Sequence, residues 1–233
     1  MTETLPIVLV PGLICSPRIY APLVPALWRH GPVMIANHIR DDSMGAIARR
    51  ILSEAPPRFA LAGHSMGGYI AFEIMRQAPE RVAKLALINT QARPDAPEAG
   101  ARRRTMITRA REGEYHAIVD GLAVNFVHPS RREDARLRRL VRDMADDVGV
   151  DGFVKQQTAM IARPDSRPTL TAIRCPTLVL TSDTDDMIPN SLSTEMADEI
   201  AGSWLVVLDN CGHLPQLEQP EETAQALVEW LRG

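Results

Sequence analysis

Short runs of consecutive apolar residues recur along the chain, and most are bounded by a chain breaker. Ile7–Val10 stops at Pro11-Gly12, Val33–Asn37 follows Gly31-Pro32, and Phe59–Ala62 runs into Gly63. Lys84–Asn89, Thr177–Thr181 after Pro176, and Trp204–Leu208 continue the series. Apolar residues on successive positions, rather than on alternate ones, suit strands buried on both faces, the habit of parallel sheets. Between these runs the apolar spacing becomes helical. Ser16-Pro17 predicts a cap and first turn for a helix reaching about Arg29, and Asp42 or Ser43 caps one running to about Ala55. Tyr69 to Gln77 is helical and closes at Pro79, Asn190 to Ile200 is helical, and Pro220 opens a last helix to about Arg232. Alternation of strand and helix predicts an α/β protein with a mostly parallel, six-stranded sheet flanked by helices.

The alternation lapses between about Gln91 and Thr171, where only helices are predicted. They cover Ala101–Arg111, Glu114 to about Asn125, a stretch opened by Pro129-Ser130, and Asp151–Ile161. In the third, Leu137, Leu140, Val141, Met144 and Val148 form one apolar stripe. Residues 1–90 and 171–233 are therefore expected to build the sheet domain, with 91–170 as a helical insertion. The insertion's many arginines, Arg102, Arg103 and Arg104 among them, interleave with acids and read as a solvated helix face, with an anion-binding patch as the less favoured alternative.

Composition narrows the function classes. A net charge of −3 and 4% aromatic residues offer nothing to nucleic acid or to an anionic membrane. Three cysteines (Cys15, Cys175, Cys211) do not make a disulfide framework and suit a reducing, cytoplasmic setting as small buried residues. Met1–Pro6 has no basic leader, and no apolar stretch is long enough to span a membrane. No P-loop, dinucleotide fingerprint or zinc-ligand spacing is present, so no metal or cofactor is expected.

One stretch carries chemistry. Gly63-His64-Ser65-Met66-Gly67 has a strand before it and a helix after it, the setting in which G-x-S-x-G forms a nucleophile elbow. Two other polar groups fall at strand ends: the acidic loop Ser182–Pro189 after the fifth strand, and His213 after the sixth. In an open parallel sheet these ends border one crevice. A serine needs a base to take its proton, imidazole can take and return one near neutral pH, and a carboxylate fixes the imidazole's tautomer.

On Val10-Pro11-Gly12-Leu13, Gly63–Gly68, Pro176–Leu180 with its acidic loop, and Gly212–Pro220, the chain resembles the α/β-hydrolase superfamily, the compact esterase, haloperoxidase-like and proline-iminopeptidase-like members in particular. The resemblance spans nearly the whole chain. It implies an α/β-hydrolase fold with a small helical cap and a triad of Ser65, Asp185 and His213. The acid follows from the loop pattern G-x-x-D-x-x-x-P, with Ser182 in the glycine position; Asp186 and then Asp183 are the alternatives. Relatives that place the acid after the fourth strand would use position 89, an asparagine here. An oxyanion hole is implied at the backbone N–H groups of Met66 and Leu13, where Pro11 replaces the histidine common in relatives. The cap and the oxyanion loop would then line a pocket, with Ile14, Phe126, Phe153, Met160, Met187 and Leu214 as apolar walls or as core residues. Gln156, like Gln157, is a candidate for hydrogen-bonding the substrate. The activity implied is hydrolysis of a small carboxylic ester or thioester through an acyl-serine. Hydrolysis of a C–C bond, lactone or amide, lyase chemistry, and non-enzymatic ligand sensing are the alternatives on the same fold.

Overall fold

The computed structural model describes residues 4–233. Met1–Glu3, part of the opening stretch without a basic leader, lie outside the described residues. Six strands form one sheet in the order β2-β1-β3-β4-β5-β6, every neighbouring pair parallel. They are β1 (Ile7–Val10), β2 (Val33–Ile35), β3 (Phe59–His64), β4 (Val82–Ile88), β5 (Thr177–Ser182) and β6 (Trp204–Leu208). β1, β3 and β5 are buried at every residue, as continuous apolar runs require. β2 and β6 are the sheet edges, and both are less buried than their apolar sequences imply. Leu205 and Val207 of the edge strand β6 remain 37% and 46% exposed.

The register ties neighbouring strand ends together. Val10 lies opposite Gly63, His64 opposite Ile88, Ile88 opposite Leu180, and Ser182 opposite Leu208. All carboxyl ends therefore emerge along one edge of the sheet. Helices α1 (Met44–Glu54), α2 (Met66–Gln77), α6 (Asn190–Glu199) and α7 (Pro220–Arg232) cover the faces, while α3 (Pro97–Arg109), α4 (Tyr115–Phe126) and α5 (Ala135–Ile161) fall between β4 and β5. Ser43, not Asp42, caps α1, its hydroxyl accepting from Ala46 N–H at 3.3 Å.

Two helical expectations are corrected. No single helix runs from Pro17 to Arg29; a 3-10 turn at Pro17–Tyr20 and a one-turn helix at Val24–Leu27 stand there instead. Pro22 and Pro25 withhold the N–H donors that a continuous helix would need. The cap of the third helix in the insertion is Asp134 rather than Pro129-Ser130. Its carboxylate accepts from Arg136 and Leu137 N–H at 2.8 and 3.1 Å. The third and fourth helices together are α5, interrupted at Gly149 (φ 68°, ψ 171°), a conformation that glycine adopts without a side-chain clash.

The segment between β4 and β5 reaches the carboxyl edge of the sheet at separate points. Ile14 N–H donates to Gln156 of α5, Arg18 pairs with Asp147 of α5 at 2.7 Å, and His213 N–H donates to the carbonyl of Phe126 at 2.8 Å. Among the described residues, no helix is long and apolar enough to cross a membrane.

Candidate active site

The turn from β3 into α2 is built by close backbone approach. A Cβ on Gly63 would sit 2.4 Å from the carbonyl oxygen of Gly67, and one on Gly67 would sit 2.1 Å from that of Val10. Only glycine fits either place. Ser65, between them, is held at φ 52° and ψ −115°, a conformation that costs an L residue about 1–3 kcal/mol. Its N–H donates to Ile88 at 2.9 Å and its carbonyl accepts from the Thr90 hydroxyl at 2.8 Å, so the end of β4 and the turn after it lock the strained residue in place.

The Ser65 hydroxyl lies 2.8 Å from His213 Nε2, and His213 Nδ1 lies 2.7 Å from Asp185 Oδ2. A carboxylate only accepts, so Nδ1 carries the proton and the Nε2 lone pair is left to accept from Ser65. The carboxylate side chain of Asp185 is fully buried, and its second oxygen accepts from Met187 and Ile188 N–H at 2.8 and 3.0 Å. Asn89 Nδ2 donates to Asp185 Oδ2 at 2.8 Å as well. Burial alone would raise this acid's pKa. The facing His213, their hydrogen bond, Asn89 and the Met187 amide outweigh burial and hold it below the ordinary carboxylate value.

The other two acids of the loop have different work. Asp183 accepts from Asn210 and Cys211 N–H at 2.8 and 3.0 Å, fastening the segment that leads to His213. Asp186 is more exposed and pairs with Arg132 at 2.6 Å. Of the remaining histidines, His64 is buried against the His213 loop. Its Nε2–H donates to the His213 carbonyl at 2.8 Å, and burial, with His213 nearby, brings its pKa down to about 3.

Leu13 borders this site, and Met66 directly follows Ser65 in the chain. Met66 opens α2, so its N–H has no intrahelical acceptor and is free to face an anion. The Leu13 turn is held by buried polar side chains. Ile14, at φ 52°, donates its N–H to Gln156 Oε1 at 3.1 Å, and the Gly12 carbonyl lies 2.9 Å from His38 Nε2. Gln156 in turn reaches His38 at 3.0 Å. These contacts support the turn from beneath in a chain that has Pro11 in place of a histidine.

A cavity of about 80 Å³ opens over Ser65 and His213. Leu13, Phe126, Met160 and Met187 line it, together with Ile188 and Tyr69. Ile14, Phe153, Gln156 and Leu214 do not line it. Each is fully buried, the three apolar ones in the core and Gln156 in its bond from Ile14 N–H and its contact with His38. Gln157 is buried too and accepts from Arg103 at 2.9 Å. Arg103 itself departs from the solvated-face reading by reaching this cavity. Cys15 also reaches it, but burial lifts its thiol to about 12, which leaves it protonated and inert.

Asn89 and Glu218 escape a reading of the sequence. Glu218 is a buried carboxylate that accepts from Gly212 and His128 N–H at 3.0 and 2.7 Å, gripping the His213 loop. Their positions relative to known motifs gave the available signal: Asn89 stands where some relatives have the acid, and Glu218 lies five residues after His213 in the segment that carried the resemblance.

A sequence model described as the alpha/beta hydrolase family matches residues 7–226. The chain belongs to the alpha/beta hydrolase family. This hydrolase is similar to a pimeloyl-[acyl-carrier protein] methyl ester esterase of Aromatoleum aromaticum, 27% identical over 97% of this chain and 92% of the relative. It is also similar to a putative carbamate hydrolase RutD of Klebsiella pneumoniae, 31% identical over 74% of this chain and 67% of the relative. Among solved structures, a thermophilic esterase from Thermogutta terrifontis, determined with malate bound, superposes with a TM-score of 0.88. It is 32% identical, and the match covers 98% of this chain and 89% of that one.

Proposed function

We propose that this hydrolase cleaves small carboxylic esters or thioesters through an acyl-Ser65 intermediate, with Asp185 and His213 completing a triad. The observation that carries the reading is the unbroken hydrogen-bond relay from Ser65 through His213 to Asp185, at 2.8 and 2.7 Å, bordering a cavity. The esterase names of two of the relatives support the bond type.

His213 Nε2 takes the Ser65 proton as Oγ attacks the carbonyl carbon. The carbonyl oxygen becomes an oxyanion and accepts from the N–H groups of Met66 and Leu13. Each such donor contributes roughly 3–4 kcal/mol at the transition state. Asp185 stabilises the imidazolium, which then protonates the departing alcohol or thiol. His213 next deprotonates a water, the water attacks the acyl-serine, and the acid leaves. Residues 91–170 act as the cap: α4 and α5 bring Phe126 and Met160 over the nucleophile and keep bulk water from the acyl-enzyme.

The test is turnover of p-nitrophenyl esters of graded acyl length. Ser65→Ala lowers kcat by about 10⁴-fold or more. Mass measurement during turnover finds the wild-type chain heavier by one acyl group and the Ser65→Ala chain unchanged. A variant that retained the wild-type rate would remove Ser65 from the chemistry.

A further inference from the structure

Resting on that reading, we infer that the site is built for esters carrying a second, ionised carboxylate a few bonds from the scissile carbonyl, and that Arg103 binds it. Arg103 extends from α3 into the cavity that holds Ser65 and His213. Among the described residues, no aspartate or glutamate lines that cavity, and Arg103 is its one permanently charged wall. Asp185 lies behind the imidazole with both oxygens already engaged. His64, held neutral by burial, brings no charge of its own.

The charge on Arg103 is not cancelled where it stands. Asp95 accepts from Arg103 Nε at 2.6 Å and from Arg163 Nη1 at 2.5 Å, so two guanidinium groups share one carboxylate. Arg163 is spent on structure. Its side chain is buried, it donates to the Arg93 carbonyl at 3.2 Å, and its Cζ lies 4.2 Å from the centre of the Tyr69 ring. The surplus positive charge therefore falls to Arg103, on the cavity side. Asp95 and Gln157 engage its Nε, Nη1 and Nη2, which leaves one N–H on each terminal nitrogen. A guanidinium already fixed by its neighbours loses little freedom on taking a planar carboxylate. Gln91 lines the same cavity and adds a neutral amide. The cavity is small, about 80 Å³, which keeps the two carbonyl groups of such a substrate close.

Hydrolysis of monoethyl succinate and monoethyl glutarate is compared with that of ethyl 4-methylpentanoate and ethyl 5-methylhexanoate, neutral esters of matching shape, by ethanol release. Wild type favours the anionic esters in kcat/KM. Arg103→Met lowers the anionic-to-neutral ratio by about tenfold or more. Arg103→Lys, which keeps the charge without the planar fork, falls between. Asp95 keeps Arg163 as a partner in both variants, so neither leaves a buried carboxylate alone; circular dichroism checks the fold. Should Arg103→Met fail to fold, the wild-type preference and the lysine variant decide. A wild-type ratio at or below one, or a ratio unmoved by Arg103→Met, overturns the inference.

A binding arm separates this inference from the acyl-enzyme reading. Glutarate raises the Tm of Ser65→Ala and leaves that of Ser65→Ala/Arg103→Met unmoved, with sodium sulfate at equal ionic strength as the control. No hydrolysis of any ester by wild type, with the glutarate shift intact, sinks the esterase reading and leaves the anion site standing. Hydrolysis of the neutral esters with no glutarate shift does the reverse.

Discussion

At Asp185, donors arrive from four directions: the His213 ring, the Asn89 amide, and the Met187 and Ile188 backbone. An amide cannot satisfy them all. In Asp185→Asn, an oxygen turned toward Met187 and Ile188 leaves an NH2 facing His213 Nδ1. That nitrogen must then accept, the proton moves to Nε2, and Ser65 loses its base. Turned the other way, the NH2 meets two backbone donors and the loop is forced open. The expected result is a kcat lower by about 10⁴-fold, with the fold retained by circular dichroism. A fall of less than tenfold in pre-steady-state acylation would assign the acid to another residue. Ser65 and His213 were legible in the sequence because Ser65 directly follows β3 and His213 stands in the loop after β6, each near a glycine that its turn requires. The choice of Asp185 over Asp183 and Asp186 rested on loop spacing, and the structure brings Asp185, not its neighbours, against His213. Asn89 was not legible. Its work depends on contacts with Ser182, Asp185 and Gly212, 93 to 123 residues away, and no local pattern encodes those.

The strand-to-helix connections divide by what specifies them. β1, β3, β4 and β5 announce themselves because burial on both faces demands apolar residues at consecutive positions. The stretch after Ser16 looked like one helix because its apolar spacing is helical, but two interior prolines outweigh spacing. The loop from β6 to α7 is held by a tertiary contact that local sequence does not show. Glu218 places one oxygen on Gly212 N–H and the other on His128 N–H, so one side chain ties the His213 loop to the chain just after α4. The Phe126 carbonyl takes His213 N–H in the same junction. Burial raises the Glu218 pKa, and the backbone donors, His128 first, only partly oppose that. Glu218→Gln must turn an NH2 toward one of the two backbone donors. Stability should fall by about 1–3 kcal/mol in urea melts. His213 should drift from Ser65, lowering kcat roughly tenfold to a hundredfold with KM little changed. A variant with reduced stability and an unaltered kcat would confine Glu218 to folding.

At the scale of the molecule, the site exists only when distant parts of the chain are together. The bonds Ile14–Gln156, His64–His213 and Ser65–His213 span 142, 149 and 148 residues, so activity and global folding should be lost as one. Acid probes that coupling. His38 and His64 are wholly buried and neutral, with pKa values of about 4 and about 3, in both cases chiefly through burial. In the unfolded chain each titrates near 6.5. Between these limits the unfolded state binds protons that the native state refuses, so stability is full above pH 6.5 and declines as pH falls toward 4. From pH 6 to pH 5 the two together remove about 2 kcal/mol. Asp185, whose folded pKa is depressed, adds a loss in the same direction, but only as pH falls below about 4. Glu218, whose pKa is raised, acts oppositely, in a window that begins near its ordinary value. The exposed arginine–carboxylate pairs, such as Arg138–Glu133, contribute little to this balance. Urea midpoints measured at half-unit steps from pH 7 to pH 4.5 should therefore be level near pH 7 and fall most steeply below pH 6. His38→Gln should roughly halve that slope, since only His64 then remains to be protonated on unfolding. A midpoint constant across that range would mean that both imidazoles titrate in the folded protein as they do in the unfolded chain, which contradicts their burial beneath the Gly12 and His213 carbonyls.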